Sequence, residues 1–171
     1  MDVSTFSIGL LVARLTLGLL MAGHGSQKLF GWLGGDGLTA TAGLFNSIGF
    51  RPGYLFAVVA GGTEVGSGIL LVLGFLGPIG PALMISVMIV VAVSIHWKNG
   101  LFASTNGIEV PLLYAMGALA LLLTGPGELS LDATLGLGSL STPMLQLGAL
   151  VIGIVGGIAN LFARRPLAVQ A

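Results

Sequence analysis

The chain has 171 residues, of which 55% are hydrophobic and only 7% charged, with six basic and six acidic side chains and no cysteine. A soluble domain carries about 25% charged residues, so this chain lacks the polar surface to meet water on all sides and is a polytopic membrane protein. The missing cysteine excludes disulfides, thiol catalysis, cysteine-ligated iron–sulfur clusters and c-type haem. The balanced charge, with no basic stripe, excludes nucleic acid as a partner. Glycine is abundant at 29 residues, which suits helices that approach closely in lipid.

A spanning helix needs about 20 mainly apolar residues. The first candidate runs from about Phe6 to Gln27 and carries Arg14 in its interior. No basic n-region precedes it and no A-x-A-like site follows it, so it reads as a retained helix rather than a signal peptide. The glycine-rich loop Gly34-Gly35-Asp36-Gly37 leads to a short amphipathic segment at about 38–49. There Leu38, Ala42, Phe45 and Ile48 share one helical face, as in a helix lying at the membrane surface. Arg51-Pro52-Gly53 ends it.

The second span is expected at about Tyr54 to Leu76 and contains Glu64 within a glycine-rich run. That run lacks a strand–turn–helix context, so helix packing explains it better than nucleotide binding. The link Gly77-Pro78-Ile79-Gly80-Pro81 leaves room only for a tight turn. A third span follows at about Ile79 to Trp97, and a fourth at about Ile108 to Thr124. Pro111 stands in the first turn of the fourth span, where proline is tolerated. Gly125-Pro126-Gly127 breaks the pattern, and residues 129–142 read as a loop. A fifth span at about Pro143 to Ala163 ends in Arg164-Arg165-Pro166. The predicted architecture is thus all-α: a polytopic membrane helical bundle with a four-helix core in residues 1–128. Residues 129–171 add a loop, a fifth C-terminal transmembrane helix and a short basic tail.

With five spans, Lys28, Arg51, Lys98, Arg164 and Arg165 all fall on one side, while Asp2, Glu128 and Asp132 fall on the other. The positive-inside rule then sets the N-terminus outside and the C-terminus in the cytoplasm.

The polar residues inside the spans are the functional candidates. Arg14 and Glu64 each lie near the middle of antiparallel neighbouring spans, and a lone charge there is costly. The expectation is an intramembrane Arg14–Glu64 ion pair, equally able to fix helix register or to handle a proton or ligand. A second constellation gathers where spans one to four share a border. His24, Lys28, His96 and Glu109 meet there, with Gln27, Asn106 and aromatic residues nearby. A histidine can donate to a quinone carbonyl and exchange a proton near neutral pH, and Glu109 can relay that proton to water. These four residues are therefore the candidate quinone or ligand site. Trp32, Trp97 and Lys98 read as ordinary interfacial anchors. Haem b is disfavoured, because both histidines sit at helix ends, and no metal site is expected.

Arg14 in the first helix, His24-Gly-Ser-Gln-Lys28-Leu-Phe-Gly, Leu44-Phe-Asn-Ser-Ile-Gly-Phe50 and Gly61-Gly-Thr-Glu64-Val-Gly-Ser-Gly together resemble the DoxX family. His96 closing the third helix adds to the likeness, which covers about Phe6 to Thr124. The resemblance implies a bacterial plasma-membrane protein linked to quinone-dependent systems, such as thiosulfate:quinone oxidoreductase. It places Arg14, His24, Lys28, Glu64 and His96 at the family's polar positions. The fifth span departs from the family's four-helix core.

The expected function is an integral membrane accessory subunit of a respiratory or redox complex that contacts quinone at the cytoplasmic border. Membrane lipid and other subunits are its partners, and it is not catalytic alone. The alternatives are a stand-alone quinone-linked oxidoreductase subunit or a small-molecule transporter. The transporter reading lacks an internal repeat.

Overall fold

The structure, a computed structural model, describes residues 4–165. Its elements are helices α1 (Thr5–Phe30), α2 (Gly37–Ser47), α3 (Gly53–Leu73), α4 (Ile79–Val91), α5 (Glu109–Thr124), the single turn α6 (Leu131–Thr134) and α7 (Pro143–Phe162). Helix α4 continues through a π turn at Ala92–His96 and a 3-10 turn at Trp97–Asn99. Among the described residues there is no strand, and the protein is an all-α, multi-pass membrane bundle.

Four helices are long and apolar enough to cross a membrane: α1, α3, α4 with its continuation to Asn99, and α7. Helix α5 has 16 residues. That is about 24 Å of helix, against a hydrocarbon core of about 30 Å. It still runs from one end of the bundle to the other. Its start follows the α4–α5 link, and Leu123 near its end accepts a hydrogen bond from Gln146 Nε2 at the start of α7. Apolar side chains such as Phe6, Val12, Leu19, Ile152 and Val155 point outward, as lipid-facing residues do.

Helices α1 and α3 form the most intimate pair. The buried residues of α1 are Ser7, Leu10, Arg14, Gly18, Met21 and Gly25, which alternate by threes and fours along one seam. Small residues let the two backbones touch. A Cβ on Gly18 would lie 2.7 Å from the Gly68 carbonyl oxygen, and one on Gly25 would lie 2.6 Å from that of Gly61. Larger side chains at these positions would force the helices apart.

Helix α4 lies between α3 and α7 and also packs on α5. Gly153 and Gly157 let α7 approach, since a Cβ there would meet the carbonyl oxygens of Ala82 at 2.6 Å and Ser86 at 2.8 Å. The main core joins Leu10, Met21, Met84, Ile85, Ala118 and Leu122. A second core forms under α2, where Ala42, Phe45, Phe50 and Ala57 meet. Leu38 and Ile48 pack against it, so the face expected from the spacing is the face that is buried.

The C-terminal end of α7 closes on that same region. Arg165 N donates to the Gly49 carbonyl at 2.8 Å and Arg164 Nε to that of Ile48 at 3.0 Å. The Arg164 guanidinium lies 5.8 Å from the centre of the Phe50 ring.

Candidate functional site

The α1–α3 seam carries charge at both ends. Ser7, Arg14, Met21 and Lys28 recur every seven residues on α1, so they lie along one strip of the helix surface. Glu64 stands on the facing strip of α3 between Ala57 and Leu71.

Glu64 is 1% exposed and pairs with Lys28, whose Nζ donates to Oε1 at 2.7 Å and to Oε2 at 2.6 Å. The Arg14–Glu64 pair expected from depth is not formed. Arg14 lies level with Gly74, since a Cβ on Gly74 would collide with the guanidinium. Gly74, which caps α3, is ten residues beyond Glu64, or about 15 Å along the axis. Side-chain direction completes the explanation. Every Cα–Cβ bond tilts toward its helix N-terminus. In an antiparallel pair, Lys28 and Glu64 therefore lean toward each other, whereas Arg14 and Glu64 lean apart.

Arg14 instead plugs into the segment before α6. Its Nη2 donates to the Leu129 carbonyl, and the side chain is 2% exposed. Asp132 is buried close by and braces the α3–α4 turn, accepting from Leu76 N at 3.0 Å and Gly77 N at 2.6 Å. Ser130 caps α6 by accepting from Ala133 N at 3.1 Å. Ser7 Oγ donates to Glu128 Oε2 at 3.0 Å. Arg14 Nε and Nη1 have no protein partner, and a cavity of about 10 Å³ beside Arg14 and Gly74 has room for about one water.

The four border residues each take a different hydrogen-bond partner. Among the described residues no hydrogen bond joins His24, Lys28, His96 and Glu109 to one another. His24 is exposed, with its ring edge-on to Tyr114 of α5 at 5.8 Å and Nδ1 3.3 Å from Gln27 Oε1. His96 Nδ1 donates to the Asn106 carbonyl at 2.7 Å, and Glu109 Oε2 accepts from Ala103 N at 2.7 Å. Both therefore brace the α4–α5 link. They share the border as the topology requires, but they are committed to the loop.

Lys28 faces the other way. With Glu64 it forms the polar part of a cleft of about 220 Å³. Phe56, Val59 and Thr63 of α3 line one side and Ser86, Val87 and Val90 of α4 line the floor. Asn160 of α7 stands on the opposite side, and Phe45 and Phe50 form the roof. Val59 and Asn160 are both exposed, so the cleft opens sideways between α3 and α7. Thr63 Oγ1 donates to the Val59 carbonyl at 2.7 Å, which leaves its oxygen free to accept. Lys28 spends two of its three N–H groups on Glu64 and keeps one.

The seven-residue spacing of Lys28 from Met21, with Glu64 on the facing seam, is the signal that finds this pair from sequence. Phe45 is found by the spacing of the α2 face, whereas the wall residue Asn160 carries no local signal, because its place in the cleft depends on how α7 crosses α4.

The DoxX family model matches residues 9–97, just over half of the chain. The matched stretch contains both halves of the ion pair and the floor of the cleft, and it stops short of α5 and α7. No curated protein and no solved structure matches the chain.

Proposed function

The chain belongs to the DoxX family, and from that premise we propose that it is an integral membrane accessory subunit of a redox assembly, contacting quinone at one membrane border. The observation that carries this reading is the buried Glu64 carboxylate, paired with half-buried Lys28 and set beside an apolar cleft that opens toward lipid. Ionisable groups held inside a membrane bundle mark ligand and proton pathways. A site of this kind needs no electron carrier of its own if a partner supplies the electrons.

The reading includes a bacterial plasma membrane with the basic border in the cytoplasm. It is supported by Lys28, Arg51, Lys98, Arg164 and Arg165 falling at the border where α2 meets the end of α7, and by the positive-inside rule.

Mild-detergent purification from native membranes, followed by mass spectrometry of bound proteins and lipids, tests the proposal. Co-purification of a dehydrogenase or oxidase subunit together with quinone is the expected result. Recovery of the chain alone, free of both, would overturn it.

A further inference from the structure

We infer that the cleft between α3 and α7 is a binding site for the head of a neutral quinone, with Lys28 and Glu64 as its polar contacts and the tail leaving sideways into lipid. The inference rests on the functional reading above and moves its site away from both histidines.

Three observations select the ligand. The first is charge. Lys28 and Glu64 form a net-neutral pair with a 1% exposed carboxylate. An anionic head would meet Glu64, and a cationic head would meet Lys28; either would have to break a pair held at 2.6 Å. A quinone carbonyl can accept the remaining Lys28 N–H, and a quinol hydroxyl can donate to Glu64, without disturbing the pair. Thr63 offers a further acceptor beside them.

The second is size. The cleft holds about 220 Å³, below the range of about 300–1,000 Å³ for pockets that enclose a whole drug-sized ligand. It therefore accommodates a substituted ring and leaves a long chain outside. The third is shape. The opening lies between exposed Val59 and exposed Asn160 on two lipid-facing helices, so a tail meets hydrocarbon directly. The aromatic roof of Phe45 and Phe50, continued by Phe56 on the α3 wall, borders the same space and suits a flat ring.

A consequence is that α7, which lies outside the family match, supplies one wall of the site through Asn160. The arginines that follow α7 hold the Ile48–Gly49 segment next to the roof.

The test uses the full chain in lipid nanodiscs with a photoreactive short-chain benzoquinone. Saturable labelling of peptides spanning 56–63 and 83–95, with about tenfold weaker binding in Val59→Trp at the lipid-facing mouth, is the expected result. Val59 is exposed, so its enlargement leaves the core intact. The unfolding midpoint of the variant confirms that it is folded, and a Val59→Leu variant restores binding. Saturable labelling confined to peptides carrying His24 or His96 would overturn the cleft and leave the quinone reading standing. Absence of saturable labelling anywhere, with bound phospholipid in its place, would overturn both.

Discussion

At one end of the α1–α3 seam, Arg14 is folded under a loop; at the other, Lys28 and Glu64 stand beside a cleft. Both ends bury charge, and they do so by different means. Arg14 is held by a backbone carbonyl, with buried Asp132 bracing the neighbouring turn, around a space for about one water. Every surrounding segment is committed to closing the bundle end. The Lys28–Glu64 pair satisfies itself and leaves donor and acceptor capacity facing about 220 Å³ of apolar space. The contrast separates a charge used to fold a loop from a self-satisfied charge pair that faces open space, which is where we propose the ligand.

The contrast can be broken by substitution, and the largest effect is expected at the open end. Lys28→Met leaves a buried carboxylate without its partner, which costs about 3–5 kcal/mol. The added change Glu64→Gln should restore most of that loss, and a double-mutant cycle of unfolding free energies in detergent reads the coupling. At the closed end, Asp132→Ala orphans the amides of Leu76 and Gly77. The expected cost is about 2–3 kcal/mol, with quinone binding unchanged, as a titration of the folded variant would show.

The α4–α5 link provides the control. His96→Ala removes one hydrogen bond to Asn106, worth about 1 kcal/mol, and should leave ligand binding intact. A similarly small effect is expected from Arg164→Met. It removes an exposed cation–π contact with Phe50, worth about 0.5–1 kcal/mol, and one bond to Ile48. Faster quinone exchange in labelling kinetics would show that this clasp also steadies the roof.

Much of the bundle is legible in the sequence, for reasons visible in particular residues. The apolar runs mark the helices to within a few residues, because lipid demands length and hydropathy together. Thus α7 is expected from Pro143 to Ala163 and observed from Pro143 to Phe162. The spacing of Leu38, Ala42, Phe45 and Ile48 likewise finds the buried face of α2.

The pairing of the charges was not legible from depth alone. Counting residues places Arg14 and Glu64 near the same level, yet the antiparallel contacts set Arg14 beside Gly74, and the Cβ tilt turns Lys28 toward Glu64. The roles of Leu129 and Asp132 were hidden because residues 129–142 have no periodicity from which to read a partner. Helix order sets both histidines toward one end of the bundle, but topology fixes an end and not a direction. His24 turns toward α5 and His96 toward its own loop. The cleft wall from α7 was invisible because it arises between helices distant in sequence.

The most direct measurement is quinone affinity in nanodiscs, taken together with unfolding free energy, for wild type, Asp132→Ala and Lys28→Met/Glu64→Gln. The account predicts that Asp132→Ala loses stability and keeps its affinity, while Lys28→Met/Glu64→Gln keeps most of its stability and loses about tenfold or more in affinity. Affinity that falls in step with stability in both variants, or that survives in Lys28→Met/Glu64→Gln, would contradict it.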